Sequence, residues 1–153
     1  KVSQSIINNS SRILNIYFLH YMVGTPTFRH GNGENNFVQK EKPLGWEYGS
    51  DGSEISLGVE MLDLKKLIIK IELSRIMYGT ESIIYRPYDP YKNYLKGKFP
   101  SGSVMKFFTI ANLVQWKISP NYEIEISSKV KRYSKTKIFG DLNFQLKFNF
   151  PGF

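Results

Sequence analysis

The stretch "SEISLGVEMLDLKKLIIKIELSRIMY", Ser53 to Tyr78, decides the fold according to which periodicity it obeys. In its first part Ile55, Leu57, Val59 and Met61 fall on one parity, and Glu54, Ser56, Gly58 and Glu60 on the other. That is the period of two of a strand with a single apolar face. After Lys66 the pattern resumes, with Leu67, Ile69, Ile71 and Leu73 alternating against Lys70, Glu72 and Ser74. A 3.6-residue period also collects several apolar residues between Val59 and Met77, so a helix competes. Asp63 to Lys66 suits a tight turn and β-branched residues cluster after it, which favours strand, turn, strand.

The same alternation extends outward. Arg12 to Tyr21 is strand-like with apolar residues on both faces, as is Val104 to Ile118; Tyr122 to Arg132 and Leu142 to Phe150 alternate cleanly. Six strands are expected, with no helix between them. An aromatic content of 15%, with 10 Tyr and 11 Phe, agrees with an all-β chain. The connections Met22 to Gly52 and Gly79 to Gly102 are long, whereas Leu62 to Lys66 and Ser119 to Asn121 are short. In an antiparallel meander this places the long loops at one end, the asymmetry of outer-membrane barrels.

The alternation leaves the solvent open, because a soluble barrel or sandwich carries the same period with its apolar face inward. Membrane is favoured by the polar parity. Ser56, Gly58, Ser74, Ser127, Asn143 and Gln145 mix small and amide side chains with Glu60, Lys70, Glu72, Lys129 and Lys131, a composition suited to a narrow wet lumen. Trp116 and Tyr122 flank a short turn where an interfacial aromatic girdle would lie. No apolar run approaches the ~20 residues of a membrane helix, but barrel strands need only about 10. The last strand, with Phe144, Leu146, Phe148 and Phe150 at every second position and Phe153 at the end, resembles the signal by which outer-membrane barrels are recognised for insertion.

Six strands are too few to close a barrel, the smallest type having eight. Residues 1–153 are therefore expected to be the C-terminal portion of one β-barrel domain, with N-terminal strands and a signal peptide upstream. A charge of +8 suits a polyanionic partner. The absence of cysteine excludes disulfides and thiolate metal sites.

The most individual segment is "PLGWEYGSDGSEISLGVE", preceded by "YFLHYMVGTPTFRHGNGE". Through Pro43, Leu44, Gly45, Gly49, Asp51, Leu57 and Gly58 it resembles the Wzi family of capsule-assembly proteins, best between Tyr17 and Met61. Trp46 departs from that pattern. The resemblance implies a bacterial outer-membrane β-barrel that binds capsular polysaccharide at the cell surface and helps its assembly or attachment, without catalysis.

The loop chemistry itself suits a sugar. Trp46 and Tyr48 offer faces for a pyranose ring; Asn35, Asn36 and Asp51 can bond hydroxyls; Arg29, His30 and Lys40 can meet uronic acid carboxylates. In the second long loop Tyr85, Arg86 and Tyr88 repeat this character, with Tyr91, Lys92, Tyr94 and Lys96 beyond. Each also reads as turn chemistry or loop packing. Expected partners are acidic capsular polysaccharide or lipopolysaccharide, outer-membrane lipid and the barrel-assembly machinery.

No metal or cofactor is expected, since His20 and His30 are the only histidines and lack a carboxylate pair at ligand spacing. No nucleophile elbow or phosphate-binding glycine loop points to an enzyme. Nucleic-acid binding would rest on charge and aromatics alone. A porin or substrate channel, and a soluble β-barrel binding a small ligand, are the alternatives.

Overall fold

The computed structural model describes residues 2–9, 12–40, 42–63, 66–94, 97–119, 121–133 and 138–148. Nine strands are assigned: β1 (Val2–Asn9), β2 (Arg12–Val23), β3 (Val38–Gln39), β4 (Lys42–Pro43), β5 (Gly52–Asp63), β6 (Leu67–Gly79), β7 (Val104–Ser119), β8 (Tyr122–Arg132) and β9 (Ile138–Phe148). Seven form one sheet in the order β1-β2-β5-β6-β7-β8-β9, a meander, while β3 and β4 make a separate two-stranded ladder. The described sheet is open, with β1 and β9 at its edges. Helical structure among the described residues is limited to short 3₁₀ turns at Gly33–Asn35 and Tyr91–Tyr94.

The strand reading of 53–78 holds, and the helical one does not. β5 ends at Asp63, whose carbonyl accepts from Lys66 N at 3.1 Å, and β6 starts at Leu67. The expected six strands are seven. β1 was missed because "VSQSIINN" is short of apolar residues, yet it pairs antiparallel with β2 from Val2↔Phe18 to Asn9↔Arg12. The last strand also begins earlier than expected, at Ile138 rather than Leu142. Phe150 and Phe153, together with the side chain of Phe148, lie outside the described residues.

Burial is inverted relative to a water-soluble sheet. On β5 and β6, Leu57 is 52% exposed and Ile71 48%, whereas Ser56 is 1% and Ser74 5% exposed. Phe108, Ile110, Ile126, Leu142, Phe144 and Leu146 are likewise exposed on the apolar parity of β7 to β9.

The chain divides into two compact units. The strand unit comprises Lys1–Leu19, Ile55–Ser74 and Phe108–Phe153. Its polar face is held by side chains that cover one another. Ser56 and Ser74 share a hydrogen bond of 2.8 Å, and the Tyr17 hydroxyl donates to Glu72 Oε2 at 2.6 Å. The hydroxyl end of the Tyr17 ring lies over Gly58, where any Cβ would fall 2.1 Å from Cζ and 2.3 Å from the hydroxyl oxygen. Glycine is required there by the close approach of an aromatic on the neighbouring strand.

Across β7, β8 and β9 the register sets Lys117↔Glu123↔Lys147 and Gln115↔Glu125↔Gln145 side by side. Lys147 Nζ lies 3.4 Å from Glu123 Oε1 and also bonds Glu125, which accepts from Gln115 Nε2 at 2.7 Å. Lys147 thus bridges the two glutamates on the polar parity of β8.

The loop unit, His20–Glu54 and Arg75–Phe107, contains the long connections and the strand ends that carry them. Its core is aromatic. Tyr48 stacks on Tyr78 with centroids 5.6 Å apart and meets the edges of Trp46 and Phe107, each at 5.2 Å.

Candidate functional site in the loop unit

Three buried polar nodes tie the connection 24–51 to the connection 80–103. The first is Asp51, fully buried with φ near +60°, a left-handed conformation that Asp tolerates better than most residues. Its carboxylate accepts from Thr25 Oγ1 at 2.8 Å and from Ser101 N at 2.9 Å, and its carbonyl accepts from Gly79 N at 2.9 Å. The second is a serine pair: Ser82 Oγ donates to the Tyr48 carbonyl at 2.8 Å, and Ile83 N donates to Ser50 Oγ at 3.0 Å.

Arg29 is the third node. Its guanidinium donates to four backbone carbonyls: Thr25 at 3.3 Å, Arg86 at 2.6 Å, Asp89 at 3.0 Å and Glu81 at 2.9 Å. It also sits 4.2 Å above the Tyr94 ring. A planar fork with five N–H donors can gather loop carbonyls in this way, and an ammonium cannot. Burial lowers the Arg29 pKa. Asn36 acts similarly: Oδ1 accepts from His30 N at 2.6 Å, and Nδ2 donates to the carbonyls of Pro87 and Asp89 at 2.7 and 2.8 Å.

On this frame the residues nominated from sequence fall into two groups. Arg29, Asn36, Tyr48 and Asp51 are buried and occupied with the loops themselves. Trp46 is half-buried and donates from Nε1 to Glu54 Oε2 at 2.8 Å. His30, Asn35, Lys40, Tyr85, Arg86 and Tyr88 are exposed. Of these, Tyr85 stacks on Tyr78 at 6.4 Å, and Lys40 occupies the turn between β3 and β4 with φ near +50°.

Among the described residues, concavities open on the unit beside Tyr94 and beside Phe37. One, of about 350 Å³, is lined by Thr25, Glu81, Arg86, Asn93, Tyr94, Lys98 and Ser101, among others. The other is shallow, about 320 Å³, and lies on the stacked rings of Phe28 and Phe37 beside Arg29, His30 and Asn35. Arg86 thus belongs to the first, and His30 and Asn35 to the second. Lys40, Trp46, Tyr85 and Tyr88 line neither.

The first pocket has an internal charge balance. Arg86 Nη1 lies 3.3 Å from Glu81 and 3.8 Å from Asp89, and the Tyr94 hydroxyl donates to Asp89 Oδ2 at 2.7 Å. A hydrogen bond with Tyr94, then the charge of Glu81, raise the Arg86 pKa. Desolvation, then the bond to Asp89, raise that of Tyr94. Lys98 adds an exposed cation at the rim, and Asn93 an amide. Asn93 and Lys98 are not among the residues expected from the sequence, although they lie between and beside Tyr91, Lys92, Tyr94 and Lys96, which are. The signal was the mixed amide, cation and aromatic character of "YKNYLKGKF", residues 91–99.

No family model, no curated protein and no solved structure matches this chain.

Proposed function

We propose that this chain is a section of a bacterial outer-membrane β-barrel that binds acidic surface polysaccharide through its loop unit and helps hold or assemble it at the cell surface, without catalysis. The observation that carries the membrane part is the inverted burial of the sheet. Ile55, Leu57, Val59, Ile71, Leu73, Phe108 and Ile110 are exposed while Ser56, Ser74, Thr109 and Tyr17 are buried. Water penalises that arrangement and a bilayer rewards it, since each exposed Leu or Ile gains about 1.5–3 kcal/mol on leaving water. The soluble-barrel alternative needs the opposite facing.

The polysaccharide part rests on the pocket around Tyr94. Arg86 and Lys98 are placed for carboxylates, Asn93 and Ser101 for hydroxyls, and the Phe28–Phe37 pair offers a second aromatic surface. Heat-modifiable gel mobility and extraction only by detergent are expected of the full-length protein; solubility in buffer would overturn the membrane reading. Lys98→Glu should lower retention of a uronic-acid polysaccharide on the purified protein at least several-fold, and unchanged retention would remove the pocket from the proposal.

A channel is the second reading, favoured by the mixed charges on the polar parity. Conductance in planar bilayers without polysaccharide retention would select it.

A further inference from the structure

From Ile110 to Trp116 of β7 the outward rows across β7, β8 and β9 are apolar except in one place, and Arg132 stands in the next row, Phe108↔Arg132↔Ile138. The rows Ile110↔Val130↔Gly140, Val114↔Ile126↔Phe144 and Trp116↔Ile124↔Leu146 carry no polar side chain, but between the first two lies Asn112↔Ser128↔Leu142. Asn112 is exposed and its Nδ2 donates to Ser128 Oγ at 3.2 Å. That bond uses one of the amide's two N–H donors. Leu142 in the same row is 78% exposed.

If this face meets hydrocarbon, as proposed above, lipid does not account for the pair. Amide groups in the bilayer have no water to bond, and each one left unsatisfied is costly. The surroundings suit a close protein neighbour, since Ser128 and Gly140 lower the relief beside Asn112 while Leu142 and Phe144 stand beyond them. The neighbour's chemistry follows from the amide, which is its own complement: two Asn112 side chains related by a two-fold axis donate and accept reciprocally. Such self-matching belongs to an isologous contact, in which one patch meets its own copy.

We propose that the outward face of β7–β9 is an interface between two copies of this chain within the membrane, centred on Asn112 and Ser128. The inference rests on the lipid-facing reading of the sheet.

Residues 1–153 contain no cysteine, so in a full-length protein with any cysteine outside them replaced by serine a single introduced thiol reports one position only. In membranes carrying the full-length protein, Ser128→Cys should give a disulfide-linked homodimer on mild oxidation, and Leu57→Cys, on the outward face of β5, should not. Asn112→Leu in the Ser128→Cys background should reduce the crosslinked fraction on the order of threefold or more, the effect of one intramembrane hydrogen bond. A Ser128→Cys protein that is membrane-inserted, by heat-modifiable mobility, yet uncrosslinked or crosslinked to another polypeptide overturns the interface. Asn112→Cys gives the same reading where Ser128→Cys fails to insert. A wild-type protein found in the buffer phase overturns the lipid-facing reading, and the interface with it.

Discussion

Replacing Gly58 by Ala tests the packing of the polar face at its most demanding point. The added Cβ would fall 2.1 Å from Cζ of Tyr17, whose hydroxyl holds Glu72 at 2.6 Å. Two responses are open. The ring stays and the strands shift, an overpacking cost of about 1–3 kcal/mol. Alternatively the ring swings away and gives up a hydrogen bond to a charged group, about 1.5–3 kcal/mol. The cheaper route sets the effect, so a loss near 2 kcal/mol is expected. Removing the ring separates this from any general intolerance of strand alanine. In a Tyr17→Ala background the new Cβ has room, and the Gly58→Ala cost should vanish or turn favourable by about 0.5–1 kcal/mol, the ordinary gain of Ala over Gly within a strand. Urea unfolding followed by tryptophan emission, with gel mobility as a second probe, measures all four corners of the cycle. Additive effects, meaning a coupling below about 0.5 kcal/mol, would refute the contact.

Other outcomes follow from the same geometry. Asp51→Asn sets an amide where Thr25 Oγ1 and Ser101 N both donate, so one donor faces another; a loss of about 2 kcal/mol and faster proteolysis within 80–103 are expected. Arg29→Lys keeps the charge but cannot span four carbonyls, so it should loosen the same loops nearly as much as Arg29→Ala; full protection from protease with Lys would contradict the fork. Tyr94 has a folded-state pKa raised above its ordinary value near 10, so its contribution is fully present below about pH 10 and lost as pH rises through the folded value. Tyrosinate absorbance with loop protection should show that loss in the wild type and not in Tyr94→Phe. With Trp46→Phe leaving Trp116 as the only indole, brominated lipid should quench emission strongly, because Trp116 shares the outward parity with Leu146; quenching no greater than that of free tryptophan would count against lipid contact.

The strands were legible because their information is local. Ile55 to Met61 and Tyr122 to Val130 carry the period of two in the chain itself, and the boundaries drawn from it fall within a few residues of β5 and β8. β1 was not legible, since Val2–Asn9 offers few apolar residues and its pairing with β2 is a property of two segments. The candidate site was less legible for a related reason. Arg29 and Asp51 look like ligand groups in sequence, but their partners are backbone carbonyls and amides up to sixty residues away, which composition cannot display. Residue type told where polar chemistry would gather. It did not tell which groups the fold would use for itself.

The register of β9 illustrates how far side chains specify the sheet. A slip of one residue would turn Phe144 and Leu146 onto the polar parity and Asn143 and Gln145 outward, so facing is strongly fixed. A slip of two keeps the facing and must be resisted by finer means. Moving β9 one way sets Glu123 against Gln145 and Glu125 against Asn143, which leaves Lys147 opposite Asn121, beyond the end of β8, and out of reach of Glu125. Moving it the other way sets Lys147 against Glu125 and Asp141 against Lys131, so both of these β9 charges still face an opposite one. Since Lys147 already bridges Glu123 and Glu125, electrostatics separates these last two registers weakly. The two-residue turn that fixes β7 against β8 has no counterpart between β8 and β9. Glu123→Gln should therefore shift β9 towards the second register. Disulfide trapping between cysteines at 128 and 144 should then rise relative to trapping between 126 and 144, and an unchanged ratio would mean that contacts other than these charges hold the edge strand.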